Sequence, residues 1–542
     1  MDIRNGGSDR HSLTVVVEWP RRRFFTALIY SVGAGKEDRF TKMPALRVMV
    51  QVTGSYVGKS VITAALCRYF YKQGYRVAPF KAQNMSNNSY VTRDGGEIGR
   101  AQAFQAAAGG IDATVEMNPI LLKPSSDKGS QVVVLGKPVA HMHAREYHQY
   151  QSQLTGIIRD SFEKLAANYD IIVIEGAGSP AEINLREFDI VNMSVAKMAR
   201  SPVILVGDIH VGGVFAWLVG TLELLQPDER DLVKAFLINK FRGDASLLDS
   251  GIAFLEQRTC KKTLGVVPFV PNLPVDEEDG VKEWKSNGGS SSQKLNVCVI
   301  RFPRISNSTD FESLACEPDV NLQYLTCVPY TRRPVPDVVI LPGTKSTIDD
   351  LDFLRSSGLE TYVRELRARN VPIVGICGGF QMLGKHIFDP DRVEAARPVA
   401  SGLGFLETVT RFENRKQTVQ VRGHCLSSGA KINGYEIHMG QTEQAPDSQP
   451  LFRITEEQGR VVDRHDGCIS GDGQVWGTYI HGVFDEPQFR RDFLNQLRAE
   501  RGWDPLSLQS APFREATLDV LADLVTRHLD CALLHGILGG QV

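Results

Sequence analysis

Short β-branched runs recur between amphipathic segments along most of this chain, and that alternation constrains its fold more than any other feature. LRVMVQVT opens the series at Leu46, followed by the helical pattern SVITAALCRYFYKQGY and then RVAPFKAQ. YDIIVIEGAG, SPVILVGDI, KAFLINKF and TLGVVPFV continue it, each ending in small or polar residues. Strands that are apolar almost throughout and separated by helices belong to a parallel sheet covered on both faces. A second series runs through LNVCVIRFP, PDVVILPGTKST, VPIVGICGG and QVWGTYIHGVF. The expected class is α/β with two doubly wound domains, whose ligands bind beyond the carboxyl ends of the strands.

A chain of 542 residues exceeds what one core supports, which agrees with two strand series. The acidic stretch DEEDG at 276–280 leads into SNGGSSSQ at 286–293, the best linker in the chain. The expected organisation is an extension over 1–44, expected to be disordered, a first α/β domain over 45–275, a linker over 276–294, a second domain over 295–490, and a C-terminal helical segment over 491–542. Within that last segment REATLDVLADLVTRHLDCALL reads as one helix. The extension carries Arg21, Arg22 and Arg23 before an apolar patch; acidic residues and the broken apolar run argue against a secretory signal. A formal net charge of −2 gives no electrostatic case for nucleic acid or an anionic membrane. No apolar run approaches the roughly eighteen residues of a spanning helix. Nine cysteines without CxxC or zinc spacing fit reduced thiols in a cytoplasmic enzyme. Oligomeric state is not legible.

Two motifs carry chemistry. In VPIVGICGGFQMLG, a strand ends at Cys377, and glycines at 375, 378 and 379 allow a sharp turn into a helix. Such an elbow leaves room for a substrate beside the sulfur, and the helix start favours thiolate. A buried structural cysteine is the alternative, which the flanking glycines disfavour. His481, after the strand in GTYIHGVF, is the candidate base. The Gly378 N–H and the turn containing Gly343 are candidate oxyanion donors. In TGSYVGKS, strand–loop–helix context marks a phosphate-binding loop with Thr53, Gly58, Lys59 and Ser60. Ser60 and Glu175, the latter closing DIIVIE, are candidate Mg²⁺ ligands, with a helix-capping carboxylate as the plainer reading of Glu175. Asn239 is a candidate base-reading residue, or part of a plain turn. The polar cluster of Gln83, Asn84, Ser86 and Asn88 suits a large polar substrate, or is loop filler.

Cys377 and His481 together resemble the class I glutamine amidotransferases. Those domains place Glu two residues after the histidine; here the position is Val483, which leaves a Cys–His dyad with orientation of the imidazole provided otherwise, and spacing promotes neither of the nearby acidic residues, Asp485 and Glu436. A phosphate-loop ATPase of the dethiobiotin-synthetase kind joined to such a glutaminase resembles the cobalamin-pathway amidotransferases. FKAQNMSNNSYVT, DGGEIGRAQA, EGAGSPAEINL, LPGTKSTIDDL and GYEIHMGQT are similar to the cobyric acid synthase branch. The a,c-diamide synthase branch has a GPDYIDP-type segment where this chain has AQNMSNN. The resemblance implies amidation of the b, d, e and g carboxylates of adenosyl-cobyrinic acid a,c-diamide, with ATP, Mg²⁺, glutamine and a corrinoid as cofactors and partners. The chain departs from that pattern at Val52, Tyr56, His210 and Val211. Two other readings stand beside it: a corrinoid- or nucleotide-binding homologue impaired by its altered loop, and another glutamine-dependent amidoligase such as cobyrinic acid a,c-diamide synthase.

Overall fold

The computed structural model describes residues 44–125, 129–270, 293–330, 334–395, 397–508 and 513–541. The expected linker falls almost wholly on 271–292, and the expected extension on 1–43, outside the described residues. Six parallel strands form the N-terminal sheet, in the spatial order Lys262–Pro268, Val233–Phe241, Val203–Asp208, Leu46–Val52, Ile171–Glu175 and Val77–Phe80. Its central strands are buried along their whole length, as expected of a sheet covered on both faces. Leu46–Val52 and Ile171–Glu175 are adjacent and in register from Leu46–Ile171 to Val50–Glu175, so the phosphate loop and Glu175 emerge side by side.

The C-terminal sheet orders Val320–Leu325, Leu295–Ile300, Val338–Leu341, Ile373–Ile376 and Val475–Thr478 in parallel, with short Cys468–Ile469 antiparallel at the edge. Cys377 and His481 thus follow neighbouring strands. Both sheets are the doubly wound α/β units expected from the strand series. Between the last two parallel strands lies a part the periodicity did not reveal. Thr408–Cys425 and Lys431–Gln444 pair as a long antiparallel hairpin, which Phe452–Glu457 and Arg460–Asp466 extend. A further sheet, ordered Gln83–Met85, Ile120–Pro124, Gly129–Val134 and Lys137–His143, belongs to the N-terminal half.

The stretch REATLDVLADLVTRHLDCALL differs from the single helix expected of it. It forms Phe513–Thr526 and Cys531–Leu538, because Asp530 turns the chain and accepts the Leu533 N–H at 2.9 Å, starting a new helix. These helices return to the N-terminal half. Leu518, Leu521, Val525, Leu534 and Ile537 are buried in the core that also holds Ile62, Leu66 and Phe70 of the helix Lys59–Lys72. Arg68 of that helix reaches Glu515 at 2.6 Å and Asp519 at 2.8 Å. Burying each such aliphatic side chain contributes about 1.5–3 kcal/mol. Deleting residues 509–542 is therefore expected to lower the thermal midpoint by on the order of 10 °C, read by calorimetry. An unchanged midpoint would mean that these helices cover the phosphate-loop helix without stabilising it.

Candidate active site

Cys377 sits between the strand Ile373–Ile376 and the helix Gly378–Leu383 with φ 50° and ψ −107°. That positive φ in a non-glycine residue is the strained elbow that the glycine pattern implied. A side chain at Gly378 would come within 2.6 Å of Thr344 Cγ2, so only glycine allows the turn 342–344 this close to Cys377. A Cβ on Gly343 would lie 2.9 Å from His481 Cε1. Cys377 and His481 line one pocket with Thr344, and Gly343 and Gly378 pack directly against these residues. The first N–H groups of a helix have no carbonyl four residues earlier; that of Gly379 donates to the Pro342 carbonyl at 3.1 Å, which leaves that of Gly378 as the candidate oxyanion donor.

With Val483 in the usual carboxylate position, orientation of the imidazole comes from a distant segment. Asp310, on the short turn Ser308–Phe311, holds His481 Nδ1 at 2.7 Å and accepts the Gly482 N–H at 3.0 Å. Both Asp310 and His481 are buried. Burial alone would lower the imidazolium; the Asp310 carboxylate and the Cys377 sulfur outweigh it and push His481 up to about 10. Tyr435 stacks on the ring at 5.5 Å, and the Tyr435 and His481 backbones exchange hydrogen bonds. The two acidic residues close in sequence serve elsewhere. Asp485 meets Ser313 at 2.6 Å and Arg100 at 3.3 Å, while Glu436 pairs with Arg464 at 2.8 Å. Asp310 lies 171 residues before His481, and no local spacing announces it.

The pocket around Cys377 is shared between the halves. Lys123, Lys345, Lys416 and Glu394 line it along with His438 and Asn307. Glu97 binds Lys123 at 2.5 Å and also accepts from Lys416, so one buried carboxylate joins the N-terminal half to the hairpin strand Thr408–Cys425. Burial would raise the Glu97 carboxyl, but the two ammonium groups hold it well below the usual carboxylate range. Burial, with Lys123 and Lys345 nearby, brings Lys416 down to about 8 against the pull of Glu97. None of these residues stood out in the sequence.

At the phosphate loop, Gly58 takes φ 106° and is braced by Asn239, whose Nδ2 donates to the Val57 carbonyl at 2.7 Å. Asn239 thus supports the loop backbone. Ser60 Oγ donates to Glu175 at 2.9 Å, and Lys81 Nζ reaches the same carboxylate at 3.0 Å; Gln105 donates to its other oxygen. Burial would raise Glu175, but Lys81 and Lys59 hold it below its ordinary value. Thr53 donates its backbone N–H to Val206 at 3.1 Å, and Lys59 is buried at the helix start. Of the departures, Val52 is buried in the strand, Tyr56 turns its ring to solvent at 59% exposure, and Val211 is 61% exposed. His210 stacks on Phe269 at 5.5 Å.

Beyond Glu175, residues 177–180 border a cavity of about 590 Å³ that Gln83 and Met85 also line, with Leu122, Pro124, Tyr147 and Phe188. Of the polar cluster, Gln83 accepts from Tyr147, and Asn84 donates to Gln102 at 2.8 Å. Asn88 lies instead at the boundary with the C-terminal half, where its Oδ1 accepts from Ser308. The Asn88 N–H binds Ser86 Oγ at 3.0 Å.

A cysteine elbow with its histidine and carboxylate, joined in one chain to a phosphate loop, defines a glutamine amidotransferase fused to a nucleotide-binding synthetase. Residues 296–489 match the CobB/CobQ-like glutamine amidotransferase domain, and residues 48–282 the CobQ/CobB/MinD/ParA nucleotide binding domain. Cobyric acid synthase of Moorella thermoacetica is 49% identical over 507 residues, covering 91% of this chain and 98% of the relative. That of Sorangium cellulosum is 48% identical over 522 residues, covering 92% and 99%, and that of Streptococcus sanguinis 47% over 498, covering 91% and 99%. The chain belongs to the cobyric acid synthase family, as its motifs implied. It is an enzyme of glutamine-dependent amidation in the cobalamin pathway. No helix among the described residues is long and apolar enough to cross a membrane.

Proposed function

We propose that this chain amidates the b, d, e and g carboxylates of adenosyl-cobyrinic acid a,c-diamide in the cytoplasm, yielding cobyric acid, at the expense of glutamine and ATP. One strand carries the reading. Ile120–Pro124 presents Lys123 to the Cys377 pocket and Leu122 and Pro124 to the large cavity, as the alternation of a strand requires. A single strand is thus a shared wall between a site that frees ammonia and one, bordered by the residues just past Glu175, of a size to hold a bulky substrate.

In the glutaminase half, the Cys377 sulfur attacks the glutamine amide carbon while the Gly378 N–H and the 342–344 turn face the oxyanion. His481, oriented and charged by Asp310, gives its proton to the departing ammonia and then takes one from the water that hydrolyses the thioester to glutamate. In the synthetase half, a substrate carboxylate attacks the γ-phosphorus of ATP, ADP leaves, and ammonia displaces phosphate from the acyl phosphate. Ser60 and Glu175 fit a magnesium ion: two oxygen donors meet beside the phosphate loop, and this metal takes one or two protein oxygens with the rest from water and phosphate. Bound there, it would neutralise charge on the β- and γ-phosphates. Lys59 would contact the phosphates, Asn239 would brace the loop under the nucleotide, and Gln83 would meet the corrinoid.

The test is incubation with glutamine, Mg-ATP and adenosyl-cobyrinic acid a,c-diamide, followed by mass spectrometry. Stepwise loss of a single mass unit per amidation is the expected result. Corrinoid binding without ATP consumption would instead identify an impaired homologue. Cys377→Ala is expected to abolish glutamine use and spare amidation from added ammonia; glutamine-dependent amidation surviving that change would remove Cys377 from its role.

A further inference from the structure

Two asparagines exchange hydrogen bonds across the boundary between the halves. Asn88 Oδ1, from the synthetase half, accepts the Ser308 backbone N–H at 3.0 Å and the Ser308 hydroxyl at 3.4 Å. Asn307 Oδ1, from the glutaminase half, accepts the Ser89 backbone N–H at 2.8 Å. Both asparagines are buried. Ser308 opens the turn Ser308–Phe311 that carries Asp310. The first N–H of such a turn has no partner within the turn. The usual remedy is the side chain of the preceding residue. Here the preceding residue is Asn307, held at φ 52°, and its side chain makes no bond to its own turn. Asn88 supplies that cap from the other half of the protein, while Asn307 returns the same service to Ser89.

The other member of the pair is supported from the same side. Tyr435, stacked on His481, receives a hydrogen bond from Arg100 at 3.4 Å and packs against Tyr90 at 5.6 Å, both from the synthetase half. Asp310 and His481 are thus each backed by residues of the partner domain.

We propose that Asn88 and Asn307 are positioning residues for glutamine hydrolysis, holding the Asp310 turn in line with His481 through reciprocal capping across the domain boundary. The triad is completed by the glutaminase half and set in place by the synthetase half. The segment that carries Asn88 also lines the large cavity through Gln83 and Met85, so one stretch of chain touches both chambers. That last link rests on the corrinoid reading of the cavity; the capping does not.

Glutamate release from glutamine by the full-length protein tests the proposal. Losing one such hydrogen bond is expected to cut kcat about ten-fold in Asn88→Ala and in Asn307→Ala, with KM for glutamine moving less than about two-fold. Asn88→Asp and Asn307→Asp keep the acceptor oxygen and are expected to retain most of kcat, which a packing role would not predict. The double alanine variant should fall little further than either single change, because both break one clamp. If the strain of alanine at positive φ prevents Asn307→Ala from folding, Asn307→Gly removes the side chain without that strain and meets the same thresholds. An alanine variant within two-fold of the wild type, or an aspartate variant falling as far as its alanine counterpart, overturns the proposal. The assay contains neither corrinoid nor ATP. Failure of amidation in the corrinoid assay would therefore sink the substrate reading while this result stood or fell alone.

Discussion

Asp310→Asn is expected to reduce glutamine hydrolysis by about 10²–10⁴-fold, the range typical of disabling a positioned acid–base pair. The wild-type carboxylate fixes the rotation of His481 at 2.7 Å and keeps the ring charged despite burial. Asparagine can hold the ring but supplies no charge, so burial then pulls the imidazolium down. The sign of the pH effect follows. A folded value of about 10 lies above the unfolded histidine value of about 6.5, so the ion pair stabilises the protein fully below the latter. That contribution is lost as pH rises through the former. The proton needed by departing ammonia persists over the same interval. In Asp310→Asn the alkaline limb of the rate profile for glutamate release should therefore move to lower pH. A limb that stays where the wild type has it would show that Asp310 does not set the charge of His481.

Glu175→Ala is expected to destabilise the protein by about 3–5 kcal/mol, because it leaves Lys81 buried with its carboxylate removed. The same change removes the acceptor for Ser60 and Gln105, so ATP-driven amidation should be lost with it. Chemical denaturation measures the first effect, and amidation from added ammonia the second. Pairing Glu175→Leu with Lys81→Met deletes both charges and should recover much of the stability but none of the amidation. Full stability in Glu175→Ala alone would show that Lys81 finds water or another partner. The pH dependence has the opposite sign to that of His481. Glu175 is held below its ordinary value, so its contribution is present above the unfolded carboxylate value and lost as pH falls through the folded one.

Legibility in the sequence followed the range of the physics involved. Strand series, elbow and phosphate loop depend on contacts within a few residues, where β-branching, glycine and helix starts leave a pattern in the chain. The turn into a second helix at Asp530 was also local, yet the apolar periodicity on both sides of it concealed the break. The hairpin from Thr408 was hidden for a related reason: much of its length is half-exposed, and it lacks the apolar runs of the parallel strands.

What the sequence determined by itself was the α/β class, the strained elbow at Cys377, its proposed partner His481 and the loop ending in Lys59 and Ser60. Each is specified by its immediate neighbours. Only the tertiary structure decided how those groups are completed. Asp310 reaches His481 because its turn follows a strand two places from the elbow strand in the same sheet. Asn88 reaches that turn because the two halves meet there. Lys123, Glu97 and Lys416 converge from three separate strands. Charges and amides buried at such a boundary act through a distance of about 3 Å, which sequence separation does not encode.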